Sequence, residues 1–474
     1  MGEQGIRSTS KTGLDETAVR RFKSALYGSL IRPGESEYDT ARKVWNGMID
    51  RKPALIVQPI DEDDVVTAVN FGREQGLLLA VRGGGHNVAG FGTCDGGLVI
   101  DLSRMKEIDV RFKDQTAWAQ GGLTWREFDR ATQAYGLAST GGLVSSTGIA
   151  GFTLGGGIGW LMRKYGLAAD NLLSAEVVTA QGQRLKASPH ENADLYWGLR
   201  GGGGNFGVVT TFEYQLYPLG PSVLGGALFY RIEQASELLS FYRQWSQTLP
   251  DELTSLAAFL TAPPAPFVPK ALVGSKMIAI ALCFAGEVEQ GQAWVQTLRA
   301  AIPAAIDLVG PIPYTALQSM FDASAPRGLR SYWKSEYLAD IPADFVKVLA
   351  DYAGKAPSPL TAVHLQHLGG AIQRKSADET AFTHRDAHYV LNIIGEWEEA
   401  SQDAKNIGWV RGLWQAVQPF ATGAVFLNFM DNNEGEARIR AAYGESKYAH
   451  LVQLKKKYDP GNLFRLNQNI PPGR

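Results

Sequence analysis

The sequence predicts an α+β protein in which a glycine-rich cofactor domain is joined to a second domain built on a large antiparallel sheet, covered by helices on one face. Three observations predict it. Short strands and helices alternate through about residue 219, with dense glycine clusters between them. From Pro221 to about Phe420 glycine thins out, and longer strands appear between helical stretches. The end of the chain then returns to turn chemistry. These features assign residues 1–219 and 425–474 to the cofactor domain, and residues 220–424 to a substrate-facing domain.

The first strand, Leu55 to Gln58, stops at Pro59, and Asp61 to Asp64 open a helix, where acidic residues suit the positive end of the helix dipole. Gly76 closes that helix before the strand Leu77 to Val81, and Leu98 to Asp101 is the next strand. Thr124-Trp125-Arg126-Glu127 is a capping box that opens a helix closed by Gly136. Ala175 to Gln181 reads as a strand turned at Gly182, and Val208 to Phe212 as another. In the second region the strands are Leu256 to Leu260, Met277 to Phe284, Thr361 to His367 and Tyr389 to Ile394. Helices Ala235 to Leu249 and Ala343 to Tyr352 lie between them, the latter started by Pro342. A last helix ends in Lys455-Lys456-Lys457, ahead of the turn Tyr458-Asp459-Pro460-Gly461-Asn462.

With 474 residues the chain has room for two or three domains. A net charge of −2 gives no electrostatic footprint for nucleic acid or an anionic membrane. Two cysteines, Cys94 and Cys283, are too few for a disulfide scaffold or a cysteine-based metal site, so no metal is expected. Met1 to Glu16 is polar and has no apolar core of a secretory leader, and the longest apolar run, Met277 to Ala285, is about half a membrane span. The expectation is a cytoplasmic protein, monomer or homodimer.

Fifty-three glycines exceed the usual ~7% of residues. They cluster in Gly83-Gly84-Gly85, in Gly148 to Gly159, and in Gly201 to Gly207. None fits the dinucleotide fingerprint of strand, GxGxxG, helix and distal acid, and there is no GxxxxGK[ST]. Three such loops can instead bring backbone N–H groups against one long anionic cofactor. In Arg82-Gly83-Gly84-Gly85-His86-Asn87 the histidine is either a nucleophile or anchor for that cofactor, or a residue that merely caps the turn.

RGGGHN, LVSSTGIAGFTLGGGIGWLMRKYGLAADNLLSAEVVTAQG, ADLYWGLRGGGGNFGVVT and YDPGNLFRLNQNI, in that order, resemble the berberine-bridge-enzyme-like flavoproteins. That family lies in the vanillyl-alcohol-oxidase superfamily, with its two-subdomain PCMH-type FAD-binding domain. The resemblance runs over nearly the whole chain. It implies FAD, attached by an 8α-histidyl bond to His86, because a neutral imidazole nitrogen is a nucleophile. Many members carry a second link through a cysteine, and the matching position here is Val144, which implies a single bond. It also implies that Arg82, Gly83, Gly84, Gly85, His86, Asn87, Val144, Thr147, Gly148, Gly151, Gly155, Gly156 and Val208 line the FAD. Asn467 and Gln468 either return to the flavin or belong to a plain C-terminal clamp.

Oxidation of a C–H bond by flavin needs a hydride acceptor and, usually, a base. Strand alternation puts His364 and Gln366 on one face with His367 opposite, and groups Tyr332, Lys334 and Glu336 on one face of SYWKSEYL. Lys334, His364, Gln366 and Tyr332 are therefore the candidate catalytic residues, although Gln366 cannot itself act as a base. The activity implied is an oxidase acting on a small alcohol, amine or secondary metabolite, with O2 as acceptor and H2O2 as product. A dehydrogenase with poor O2 reactivity is an alternative, since Phe91 is bulkier than the residue the family usually places after the equivalent of Gly90; a carbohydrate oxidase and a catalytically silent flavin carrier are the others.

Overall fold

The computed structural model describes residues 13–432 and 434–473; the first part of the polar lead read against a secretory leader lies outside them. Strands β1 (Ser29–Ile31), β2 (Leu55–Gln58), β3 (Leu79–Arg82) and β4 (Leu98–Asp101) form a four-stranded sheet in the order β1-β2-β4-β3. Both β2 and β3 pair with β4 in parallel. Helix Glu62–Glu74 carries the chain between β2 and β3, the long crossover that parallel neighbours need. Its N-cap Asp61 accepts from the Asp64 N–H.

Strands β5 (Ile108–Arg111) and β6 (Thr116–Gln120) start a second sheet. After the two-residue β7 (Leu137–Ala138) it is completed by β8 (Leu172–Val178), β9 (Arg184–Ala187) and β10 (Val208–Gln215), in the antiparallel order β5-β6-β10-β8-β9. The capping box is present: the Thr124 N–H donates to Glu127 at 2.8 Å, at the start of helix Trp125–Gln133. The short β11 (Tyr217–Pro218) pairs back on β7.

The third sheet has eight strands, β12 (Ser222–Arg231), β13 (Leu253–Thr261), β14 (Lys276–Phe284), β15 (Ile306–Asp307), β16 (Gly310–Pro313), β17 (Arg330–Leu338), β18 (Ala362–His367) and β19 (Tyr389–Trp397). Its order is β15-β12-β14-β13-β18-β19-β17, with β16 also on β12, and every pairing is antiparallel. Helices Ala235–Ser246, Val288–Ala301, Ala343–Ala353 and Asp403–Val417 cover one face, and their Leu238, Val295, Leu349 and Leu413 join Val363, Leu365, Leu391 and Ile393 of the sheet in one buried cluster. The fold is thus α+β, with a large antiparallel sheet covered by helices, as the composition shift implied.

Two element boundaries shape the cavity side of this sheet. β19 extends past the expected Ile394 through Gly395, Glu396 and Trp397, held by pairing with Arg330, Ser331 and Tyr332. The segment Val425 to Met430 forms a short helical turn, Leu427–Phe429. Among the described residues no helix is long and apolar enough to cross a membrane.

Candidate active site

One cavity of about 350 Å³ lies between the glycine loops and the uncovered face of the third sheet. Its volume is that of an ordinary ligand site. Arg82 to Asn87, Val144, Thr147, Gly148, Gly151, Gly155, Gly203, Gly204, Asn467 and Gln468 line it from one side. His364, Gln366, Asn392, Ile394, Glu396 and Trp333 line it from the sheet.

The first two glycine loops meet backbone to backbone. A Cβ placed on Gly84 would lie 2.3 Å from the Gly148 nitrogen, and one on Gly148 would lie 2.2 Å from the Gly84 nitrogen. No other residue fits at either position. Gly85 has φ +71°, the left-handed region that glycine enters without a steric penalty. Among the described residues the N–H groups of Gly84, Gly85, His86 and Asn87 have no intramolecular acceptor. Buried Asn467 Oδ1 and Gln468 Nε2 likewise lack a partner. A turn of unaccepted N–H groups beside open space fits an anionic, polar cofactor such as FAD.

The turn is anchored from behind. Arg82 donates to Asp101 at 2.8 Å in a buried ion pair and to the carbonyls of Ala41 and Lys43. Trp45 donates its backbone N–H to Gly85 O at 2.9 Å, and its indole stacks on the His86 ring, with centroids 5.5 Å apart. His86 Nε2 is 3.0 Å from Ser146 Oγ. Burial, reinforced by the Arg327 guanidinium, lowers the His86 pKa to about 4, against a smaller opposing effect of Asp322. The imidazole is therefore neutral at physiological pH.

The tail both clamps and lines. Asn467 donates to Gly204 O at 2.9 Å, and Ile470 N–H donates to Asn205. Lys455, expected only to complement a helix end, is buried, pairs with Asp459 at 2.8 Å and donates to Asn205 O.

Register decides which candidates reach the cavity. On β18, Val363 and Leu365 enter the helix-covered core while Ala362, His364 and Gln366 face the cavity. His364 lies directly across from Asn392. It is half-buried, its ring centroid lies 5.7 Å from that of Phe321, and burial lowers its pKa to about 4. His367 points the other way, against Arg163 and Tyr389.

Lys334 and Tyr332 are corrected by the same register. Lys334 pairs with Ile393, a core residue, so it stands on the helix-covered face. There it forms a buried ion pair with Glu434 at 2.5 Å, while the Tyr332 hydroxyl accepts from Arg411 at 3.0 Å. Glu336 is on that face too, accepting from Trp414 at 2.6 Å. The β17 residue that reaches the cavity is Trp333. Two glycine-loop assignments also shift. The Val208 side chain is buried in the core of the first sheet, and its neighbours Gly207 and Val209 line the cavity. Gly156 packs against Phe382, where an added Cβ would come within 2.6 Å of the ring.

Glu396 is the residue that sequence reasoning missed. It is 3% exposed, faces the cavity two positions beyond Ile394, and burial raises its pKa to about 8 against a hydrogen bond from Ser331. Its signal in the sequence was alternation continued past Gly395 to Trp397.

Similarity to known proteins points the same way. A family model described as an FAD binding domain matches residues 53–188, and one described as berberine and berberine-like matches residues 425–471. An FAD-linked oxidoreductase of Dictyostelium discoideum is 33% identical over 473 residues, 98% of this chain and 99% of that protein. The (R)-6-hydroxynicotine oxidase of Paenarthrobacter nicotinovorans is 30% identical over 465 residues, 94% and 97% of the two chains. The crystal structure of 6-hydroxy-D-nicotine oxidase from Arthrobacter nicotinovorans superposes with a TM-score of 0.85 at 27% identity, covering 94% of this chain and 98% of that one.

Proposed function

Since this chain belongs to the berberine-bridge-enzyme-like FAD-linked oxidoreductases, we propose that it is an oxidase of a small organic substrate whose FAD is bonded to His86 alone. Bound in this cavity, FAD would supply the hydride acceptor for the substrate and the route for its electrons to O2, with H2O2 as product. The observation that carries the reading is the neutral His86 imidazole, set beside unaccepted backbone N–H groups in the cavity.

The chain's own residues divide the work. Gly84 to Asn87, Thr147, Gly148, Gly151, Gly155, Asn467 and Gln468 hold the cofactor, with residues 1–219 and 425–474 as its domain and 220–424 as the substrate domain. His86 supplies the nucleophilic nitrogen, and Val144 leaves no second sulfur. His364, neutral and on the sheet wall, accepts the substrate O–H or N–H proton. Gln366 and Asn392 orient by hydrogen bonding. Trp333, Phe321 and Phe91 exclude water.

Acid-precipitated protein should stay yellow and fluoresce in a denaturing gel, and His86→Ala should abolish both. A peroxide-coupled screen of alcohols, amines, sugars and phenols tests the oxidase reading. A protein that is reduced anaerobically by a substrate but is reoxidised only slowly in air is the dehydrogenase instead.

A further inference from the structure

We infer that Glu396 is the recognition point for a cationic group, so that the substrate class of this cavity is a protonated amine carried on an apolar or aromatic body. The inference deepens the oxidase reading and rests on it for the cavity being the substrate site.

Glu396 is the one carboxylic acid among the residues that line the cavity. The groups that could neutralise it are committed elsewhere or uncharged. Arg82, also in the lining, is held in its buried pair with Asp101. His86 and His364 are neutral. On β17 the neighbour opposite Glu396 is Ser331, which offers a hydroxyl, and the Glu396 N–H donates to Thr361 Oγ1 at 3.4 Å. The nearest cation along β17, Arg330, is held in its ion pair with Asp403, and Lys334 stands on the other face of the sheet with Glu434. Arg327 and Asp322, whose charges act on His86, do not contribute to the electrostatics of Glu396. Among the described residues, then, no lysine or arginine lies against it.

A buried carboxyl without a counterion keeps its proton. A ligand cation that enters the site restores the missing Coulomb partner, and Trp45, Trp333, Phe321 and Phe429 in the same lining offer its apolar or aromatic body a matching wall. The balance is simple. R–NH3+ enters, the Glu396 carboxylic acid becomes carboxylate, and one proton leaves to solvent. Neither a neutral alcohol nor a sugar can discharge the group this way, and an anionic substrate is repelled.

The test is calorimetric titration of the flavin-loaded protein, anaerobically at pH 7, with benzylamine and with benzyl alcohol. Each titration is run in two buffers of different ionisation enthalpy, so that protons released are counted. Benzylamine should release roughly 0.9 proton per molecule bound, the fraction protonated one pH unit below the Glu396 pKa. Benzyl alcohol should release none. Glu396→Gln should abolish the release and weaken benzylamine roughly tenfold, while leaving benzyl alcohol unchanged. Benzylamine that fails to bind the wild type, binds without proton release, or binds Glu396→Gln equally well overturns the inference. The wild-type proton count stands even if the variant does not fold. Failure of the oxidase reading shows separately, as flavin that no substrate reduces while amine-linked proton release persists.

Discussion

His86 Nε2 and Ser146 Oγ are 3.0 Å apart, so the hydroxyl engages one of the two nitrogens of a neutral ring. An Nε2–H that donates to Ser146 leaves the Nδ1 lone pair available as the nucleophile. The stacked Trp45 indole holds the ring plane. Ser146→Ala removes a hydrogen bond worth about 1 kcal/mol. Covalent incorporation of added FAD into apoprotein, followed by in-gel fluorescence, should therefore slow roughly fivefold, with circular dichroism unchanged. Ser146→Thr, which keeps the hydroxyl, should restore the rate. Equal rates in all three proteins would remove Ser146 from the anchoring arrangement.

Lys334 lies behind the sheet, in an ion pair buried with Glu434. Lys334→Met leaves that carboxylate with Arg438, at 3.2 Å, as its remaining partner. Loss of one member of a buried pair should cost roughly 2–4 kcal/mol of unfolding free energy by urea titration. Turnover per folded, flavin-loaded molecule should stay within about twofold of wild type, because the side chain does not reach the cavity. A large fall in turnover with unchanged stability would return Lys334 to the catalytic set.

Stability should also depend on pH through the cavity groups, in opposite senses. Glu396 is raised from its ordinary 4.5 to about 8, so the native state keeps a proton that the unfolded chain gives up. Its contribution is full below pH 4.5 and is lost as pH rises through about 8. His86 and His364 are lowered from 6.5 to about 4, so their contribution is present above pH 6.5 and is lost as pH falls through about 4. Glu396→Gln removes the first limb alone. Unfolding free energies from urea titration between pH 5 and 9 should fall for wild type relative to this variant, by on the order of a few kcal/mol at pH 9. Parallel profiles would mean that the carboxyl is not buried protonated.

Local signals are legible directly in the chain. Thr124 and Glu127 lie within one helical turn of each other, so their capping box needs no tertiary partner. The three glycine loops and His86 stand out in the composition, although their convergence on one cavity depends on contacts such as Gly84 against Gly148, far apart in sequence. Alternation groups Tyr332 with Lys334 and His364 with Gln366, yet it cannot say which face meets the cofactor. The ladder pairing Lys334 with Ile393 settles that, and no local pattern encodes it. Gly395 makes β19 look finished at Ile394. In the fold that glycine is required by packing, since a Cβ there would lie 2.6 Å from Val410, and the strand runs on to Glu396.

Gly151 offers a way to separate folding from cofactor binding. It sits inside the short helix Ile149–Leu154, where glycine is roughly 1 kcal/mol less favourable than alanine. An added Cβ meets nothing within 4 Å, so Gly151→Ala is sterically free in the protein itself. Gly151 also lines the cavity, so under the proposed FAD cradle the same Cβ would meet the bound cofactor. The two effects therefore oppose each other. In a His86→Ala background, where flavin is exchangeable, Gly151→Ala should raise the unfolding free energy of the stripped protein by up to about 1 kcal/mol. In the same protein it should weaken FAD binding, followed by flavin fluorescence quenching, roughly tenfold, the cost of an overpacking penalty near ~1–2 kcal/mol. Stabilisation with unchanged FAD affinity would show that the cofactor does not pass over this helix, and would redraw the cradle around the other two loops.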